Sequence, residues 1–488
     1  MGYAQELSRS MTGFQNFAIS FSIICILSGG INSLGQGISA VGGAAIGIGW
    51  LVGCAVCLVF ALGMAQISSA YPTAGGLYHW GSLLGGRAVG WLTAWLNLIG
   101  LVTVLGAINV GTYNFLIGAF GPVLGLTSSY GLQAACVTGI TLLQAIVNHR
   151  GIRATARLID LSGYLIFAVA ACLTVALLAY ARHWDFTRLV TFHNYSGPAG
   201  GEVWPASGSP LQLFGLGLLL PIYTITGFDA SAHTAEETQD ASRVVPRGIL
   251  RSVLWAALVG WLMLSAFVLA LPDMDAAAAS GWNVYFTTLD SIFPAPLKLG
   301  LDLLILFCQW LCGLATVTSA SRMIFAFARD NGLPASQLLR RVHPRFHTPV
   351  PAIWTAVAIA LLFTLYTPAY TTIVSVTVIF LFLSYGLPVI AGLFAYRRSW
   401  TQMGPWDMGP AYRVVAVLVI GALVLIFYLG IQPPNDAALW ITAWFFAITA
   451  AVWFGFERGR FRGPPVGEDL ARRAAALTGA APPPPGSA

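Results

Sequence analysis

Charge is scarce in this chain: Asp, Glu, Lys and Arg make up 9% of its 488 residues, against about 25% in ordinary soluble domains. Such a chain cannot cover a water-facing surface, which excludes a soluble fold. Lysine is rarer still, with Lys298 the single copy. Cysteine is limited to 7 residues (Cys25, Cys54, Cys57, Cys136, Cys172, Cys308 and Cys312), all inside apolar stretches. Cys54 and Cys57 have metal-like spacing, but no second Cys/His pair lies near them, so they read as small buried thiols and no disulfide is expected. The marks of catalysis are missing as well. No nucleophile elbow, phosphate loop, His/Glu metal motif or paired-carboxylate arrangement is visible, and Gly-x-Gly-like runs fall within apolar spans. The sequence does not read as an enzyme, and no resident metal is expected.

What is present is apolar. Hydrophobic residues account for 57% of the chain and the mean hydropathy is +0.76. Spans of roughly 20 apolar residues, the length that crosses a bilayer, recur about twelve times. They are read at 14–39, 44–69, 87–118, 127–147, 157–181, 210–233, 249–271, 299–327, 350–367, 371–396, 412–432 and 436–456. The fold class is therefore an all-α membrane protein embedded in the lipid bilayer. The first span is too long for a signal-peptide core and reads as a retained helix. Two long loops, Arg182–Ser209 and Pro272–Pro296, share one side, and the second is expected to hold short surface helices.

The cations fix the orientation. With the N-terminus cytoplasmic, 21 of the 24 Lys and Arg residues fall on the inner side, and only Arg182, Arg188 and Lys298 on the outer. Cytoplasmic loops favour Lys and Arg, so both termini are expected in the cytoplasm and the span count is even. The net charge of +6 is thus topology and not a nucleic-acid signal. After Phe456 the chain is rich in Arg, Pro and Ala, and residues 457–488 are expected to be a disordered cytoplasmic tail.

Two spans are interrupted in their middles, and in corresponding places. Ser28-Gly29-Gly30 breaks the first; Thr224-Ile225-Thr226-Gly227-Phe228-Asp229 breaks the sixth. A helix broken at mid-depth exposes N–H and C=O groups that lipid cannot satisfy, so it must line a protein cavity, and a matched pair points to a transporter's binding site. A five-helix unit repeated with inverted topology places breaks in spans one and six. It divides the chain into 1–13, a first repeat 14–181, an outer loop 182–209, a second repeat 210–396, two additional helices 412–456 and the tail.

At the first break, the restarting helix offers N–H donors and partial positive charge, which suit a carboxylate. The ending helix offers carbonyls, which suit an ammonium or a sodium ion. The alternative is close helix packing at glycine. At the second, carbonyls from Tyr223 to Gly227 suit a substrate amine, and Tyr223 has the place of an aromatic gate. Asp229 is the most deeply placed acid. It has two readings, direct contact with substrate or capping and network duty in the second half-helix. His233, four residues on, reads as a proton site or a satisfied core histidine. In the eighth span, Gln309, Cys312, Thr316 and Ser319 form one polar stripe. Thr316 and Ser319 suit sodium ligation or interhelical hydrogen bonding, and Ala315, Thr318 and Ser319 form a rival register. Asn97, a lone polar residue in the third span, reads as structural. Glu236 and Glu237 reach the inner end, where salt bridges to arginine are expected.

Four strings carry a resemblance. They are Ser-Ala-Tyr-Pro-Thr-Ala-Gly-Gly-Leu-Tyr-His-Trp at 69–80, Thr-Gly-Phe-Asp-Ala-Ser-Ala-His-Thr-Ala-Glu-Glu-Thr at 226–238, Ser-Ala-Ser-Arg-Met-Ile-Phe-Ala-Phe-Ala-Arg-Asp-Asn-Gly-Leu-Pro at 319–334, and His-Pro-Arg-Phe-His-Thr-Pro-Val-Pro at 343–351. In this order they resemble the amino acid–polyamine–organocation superfamily, in its amino acid/choline transporter branch, from Glu6 to about Gly455. The resemblance implies a five-plus-five inverted-repeat fold of the LeuT type, with its site between spans one, three, six, eight and ten. It implies a secondary active permease for amino acids or related amines such as γ-aminobutyrate, choline or polyamines, working by alternating access. The family's substrate loops match Ser28, Gly29 and Gly30, and Tyr223, Thr224, Ile225, Thr226 and Gly227. Two departures stand out. Many proton-coupled relatives carry a lysine in the fifth span, where this chain has Ile166, so a lysine-based proton switch is excluded. Relatives usually carry glutamate before the Tyr-Pro string, where this chain has Gln66. Coupling is then left to sodium, to a proton, or to exchange. A channel reading lacks a ring of filter residues, and a nutrient-sensor reading lacks a signalling domain.

Overall fold

The computed structural model describes residues 9–367 and 369–465. Its helices in chain order are α1 (Gly13–Ile24), α2 (Gly29–Asn32), α3 (Leu34–Val41), α4 (Trp50–Ala70), α5 (Leu77–Leu124), α6 (Tyr130–Arg150), α7 (Ile152–Tyr180), α8 (Pro210–Gly217), α9 (Leu219–Thr224), α10 (Ala230–His233), α11 (Ala241–Ala270), α12 (Met274–Ala279), α13 (Val284–Ile292), α14 (Ala295–Arg329), α15 (Ser336–Leu339), α16 (Val350–Tyr366), α17 (Tyr370–Ala395), α18 (Ala411–Gly430), α19 (Ala437–Val452) and α20 (Arg458–Arg460). Among the described residues, 10 helical stretches are long and apolar enough to cross a membrane. Two shorter apolar ones, Pro210–Thr224 and Val350–Tyr366, fall at the sixth and ninth expected spans. The protein is an all-helical, multi-pass membrane protein.

Local chemistry sets the helix ends. Thr12 and Gln15 form a reciprocal capping box at α1: the Gln15 N–H donates to Thr12 Oγ1 (3.3 Å) and the Thr12 N–H to Gln15 Oε1 (3.0 Å). Ser129 and Ser209 cap α6 and α8 in the same hydroxyl-to-N–H sense. α5 begins earlier than the sequence suggests, because Gly86 at φ +84° joins a leading segment from Leu77 to the main helix. Only glycine takes that conformation without strain.

Burial sorts the spans into two shells. About 83% of the apolar window is buried in α5 and in α17, and 89% in Gly13–Asn32. The share falls to 22% in Tyr130–Arg150 and 17% in Ala437–Arg460. The central helices therefore meet protein on nearly every side, while α6, α18 and α19 present residues such as Leu143, Val424 and Trp444 outward, as a lipid-facing ring does.

The two long loops fold over the face opposite the N-terminal segment. The first packs Trp204 into the core, its Nε1–H donating to Gln36 O (2.8 Å), and Tyr195 OH donates to Asp275 Oδ1 (2.6 Å) in the second. The second loop holds α12 and α13, as the sequence suggested. At the far end of the chain, buried Phe461, just after α20, packs on Tyr78 and Phe327, so order extends past the expected boundary at 457 to Pro465. The rest of the expected tail lies outside the described residues.

Candidate binding site at the paired helix breaks

The first break starts at Cys25, whose backbone leaves the helix at φ 19°, ψ 85°. The N–H groups of Ser28 and Gly29 both turn back to Cys25 O, at 2.7 and 3.1 Å. Of the expected cradle, Ser28 and Gly29 are therefore already committed. Gly30 and Ile31 are the next donors in the first turn of α2, the end that carries partial positive charge. The carbonyls released on the other side are met by α14. Cys312 Sγ donates to Ile23 O (3.2 Å), and Gln309 Nε2 donates to Leu27 O (3.1 Å).

The second break follows α9, which ends at Thr224. Gly227 sits at φ +91°, a left-handed conformation, with its N–H donating to Tyr385 OH (3.1 Å). Thr226 Oγ1 donates to Tyr223 O (2.8 Å), and Gly227 O accepts from the Ala230 N–H (3.2 Å). The carbonyls of Thr224, Ile225 and Thr226 are left between them. The two breaks interlock at glycine. A Cβ on Gly29 would lie 2.8 Å from Thr224 Cα, and one on Gly227 would collide with the Ile23 side chain. Ser28, Tyr223, Thr224 and Thr226 are all buried, so the junction is sealed from both faces.

Asp229 occupies the N-cap position of α10 but makes no capping bond. Of capping and network duty, the structure shows the second: its carboxylate lies in a buried network. It accepts from Asn97 Nδ2 (3.0 Å) and Tyr385 OH (2.9 Å), and His233 Nε2 lies 3.1 Å from it. Asn97 also donates to Ser384 Oγ (3.2 Å), so α5, α10 and α17 are tied at one point. Three to four polar partners are what a buried carboxylate needs to offset desolvation.

The eighth-span stripe divides. Its outer half, Gln309 and Cys312, reaches the first break. Its inner half does not: Thr316 Oγ1 donates to Cys312 O in its own helix (2.9 Å), and Ser319 Oγ is buried with no partner among the described residues. Ile166, at the lysine position of proton-coupled relatives, is fully buried in α7.

The two faces are closed unequally. On the side away from the N-terminal segment, Tyr223 meets Tyr370 edge-on (6.3 Å), Tyr370 meets Trp282 (6.1 Å), and a cavity of about 380 Å³ opens beyond them. On the basic face the closure is deeper. Arg322 pairs with Glu237 (2.9 Å) and Arg329 with Glu236 (2.8 Å), as the sequence suggested for both acids. Asn16 Nδ2 lies within hydrogen-bond reach of Ser231 O, Thr234 Oγ1 and Thr238 Oγ1, and the Met11 N–H donates to Glu237 O (2.8 Å). Gln66, on the same face, donates to Asp407 Oδ1 (2.7 Å) and accepts from the Met408 N–H (2.7 Å).

Sequence reasoning read Cys25 only as a buried thiol, missed Tyr385 altogether and gave Asn97 only a structural role. Asn97 and Tyr385 act through Asp229, more than 100 residues away, which no local pattern signals.

A membrane-embedded bundle with two interlocked helix breaks at its centre defines a solute transporter by class. Residues 11–456 match the family described as Amino acid permease. The chain is 30% identical to Amino-acid permease BAT1 of Arabidopsis thaliana, over 95% of each chain. It is 29% identical to the BAT1 homolog of Oryza sativa subsp. japonica over 95% of this chain and 94% of the relative. It is also 29% identical to a GABA-specific permease of Saccharomyces cerevisiae, over 73% of this chain and 63% of that one. The chain belongs to the amino acid permease family of the amino acid–polyamine–organocation superfamily, whose members are transporters and not enzymes.

Proposed function

We propose that the protein is a secondary active transporter importing an amino acid or amino-acid-derived amine across the plasma membrane by alternating access, with both termini in the cytoplasm and the two five-helix halves as inverted repeats. The supporting observation is the junction of the breaks, where N–H donors of α2 lie against the segment that carries the carbonyls of Thr224, Ile225 and Thr226 in a buried site. A solute with a carboxylate and an ammonium matches both ends of it. The carboxylate docks on the donors around Gly30 and the ammonium on the carbonyls after Tyr223. The Arabidopsis, rice and yeast relatives carry amino-acid and GABA permease names, which agrees with such a solute.

Choline or a polyamine is the second reading, with Asp229, a buried anion joined to the second break through Tyr385, as its amine partner. For coupling, sodium at Thr316 and Ser319, a proton carried by Asp229 and His233, and pure exchange are the three routes. A sodium-independent uptake rate removes the first. The deciding experiment is thermal stabilisation of the purified protein by amino acids, γ-aminobutyrate, choline and polyamines, with and without sodium. A ligand bound to the native state raises stability by mass action. Stabilisation by carboxylate-bearing amines supports the two-ended docking; stabilisation by choline or polyamines alone overturns it.

A further inference from the structure

We infer that a cavity on the basic face, between the N-terminal segment, α7 and α14, is a second solute site on the release side, with Asp160 as the acceptor for the departing ammonium group. The inference rests on the transport reading above. The cavity holds about 280 Å³, just below the range of roughly 300–1,000 Å³ typical of small-molecule sites. Gln15, Arg157, Asp160, Glu237, Thr318 and Arg322 line it.

Two of these charges are spoken for. Glu237 and Arg322 face each other at 2.9 Å with both side chains almost fully buried, and they neutralise one another. Asp160 is different. Its Oδ2 accepts from Gln15 Nε2 (2.9 Å), while its Oδ1 is shielded from solvent and hydrogen-bonded to no described residue. A carboxylate oxygen in that setting is unfavourable until a cation or a donor reaches it. Arg157 lies one turn earlier on α7 at the cavity rim, exposed, and is in no ion pair among the described residues. The wall therefore offers a carboxylate oxygen, and the rim a guanidinium fit for a carboxylate. Opposite charges one helical turn apart, at the wall and the rim of one small cavity, suit a zwitterion.

The cavity is separate from the breaks and yet next to them. Ile19, Ile23, Ile159, Ala230 and Ala315 form one apolar cluster. Ile19 and Ile159 also line the cavity, and Ile23 touches Gly227 at the second break. A solute leaving the breaks needs to cross only this plug to reach Asp160.

Equilibrium dialysis on the purified full-length protein tests this. The probe is whichever of the twenty amino acids, γ-aminobutyrate, choline and putrescine binds wild type most tightly. Wild type is expected to bind two per chain. Asp160→Asn should weaken one of the two at least 10-fold, and Asp160→Glu should retain both. Gly30→Leu should remove the other site and leave the one at Asp160. A single site in wild type, or unchanged binding in Asp160→Asn, overturns the inference. So does equal weakening of both sites together with a lowered melting temperature, which marks a structural role. Sodium or potassium displacing the probe from wild type one-for-one, but not from Asp160→Asn, reassigns the cavity to an inorganic cation. Two sites that both survive Gly30→Leu, with one lost in Asp160→Asn, overturn the docking at the breaks and leave the release site standing. The absence of any binder overturns the transport reading and this inference with it.

Discussion

Gly29 and Gly30 are neighbours in sequence, yet a methyl group meets different surroundings at each. At Gly29 it lands 2.8 Å from Thr224 backbone, while at Gly30 its nearest neighbours are side-chain atoms at 3.8–4.0 Å. Gly29→Ala is therefore expected to destabilise the protein by about 1–3 kcal/mol and to cut uptake sharply. Gly30→Ala should fold and transport, and Gly30→Leu should express normally and not transport. Melting curves and radiolabelled uptake on the three variants check this. Wild-type uptake in Gly30→Leu sinks the docking scheme. Tyr385 is a second test. Its hydroxyl donates to Asp229 and accepts from the Gly227 N–H. Tyr385→Phe leaves a buried N–H and a buried carboxylate each short of a partner, and is expected to lower stability by about 2–3 kcal/mol. The glycines of both breaks were legible because glycine, proline and hydroxyl residues inside an apolar run are local signals. Tyr385 was not, since a tyrosine in a transmembrane helix looks the same whether its hydroxyl meets lipid headgroups or a buried aspartate 156 residues away.

The elements carry a division of labour that sequence periodicity shows only in part. The stripe from Gln309 to Ser319 was visible at three- and four-residue spacing. Which half of it touches the first break was not, because that depends on how deep α14 sits against α1. Inner and outer closure also differ by element. The basic face is held by α10's extension against α14, through pairs whose side chains are largely out of water. Removing one partner strands the other, so Glu237→Gln or Arg322→Met alone should lower stability by about 3–5 kcal/mol, while Glu237→Leu with Arg322→Met should recover most of it. A melting series on the three proteins decides. Glu236 adds a pH signature. Burial pushes its carboxyl up, but the hydrogen bonds and charge of Arg329 outweigh this and hold it below the ordinary range. A depressed folded pKa contributes stability in full above the unfolded value of about 4.3, lost as pH falls through the folded value. Stability is thus expected to be insensitive to Glu236 from pH 5 to 8 and to drop in stronger acid, a drop that Glu236→Gln should remove.

At the scale of the molecule, the apolar stretches read from length alone fall in order on helices, ten of them long enough to cross a membrane and two shorter, because lipid permits few alternatives to a helix. The misplaced ends have local causes: Gly86 lets α5 start ten residues early, and Phe461 anchors chain expected to be loose. The arrangement of the spans around one another came from resemblance and not from periodicity, which says which face is apolar but not what covers it. The stitching of α1 to the inner half of the sixth span has one more consequence. Asn16 reaches Ser231, Thr234 and Thr238 across 215 to 222 residues of sequence. Neither side can drift alone without orphaning polar groups on the other. Positions nearly half a chain apart are thereby bound to a shared mutational history, tolerating change in company and not singly.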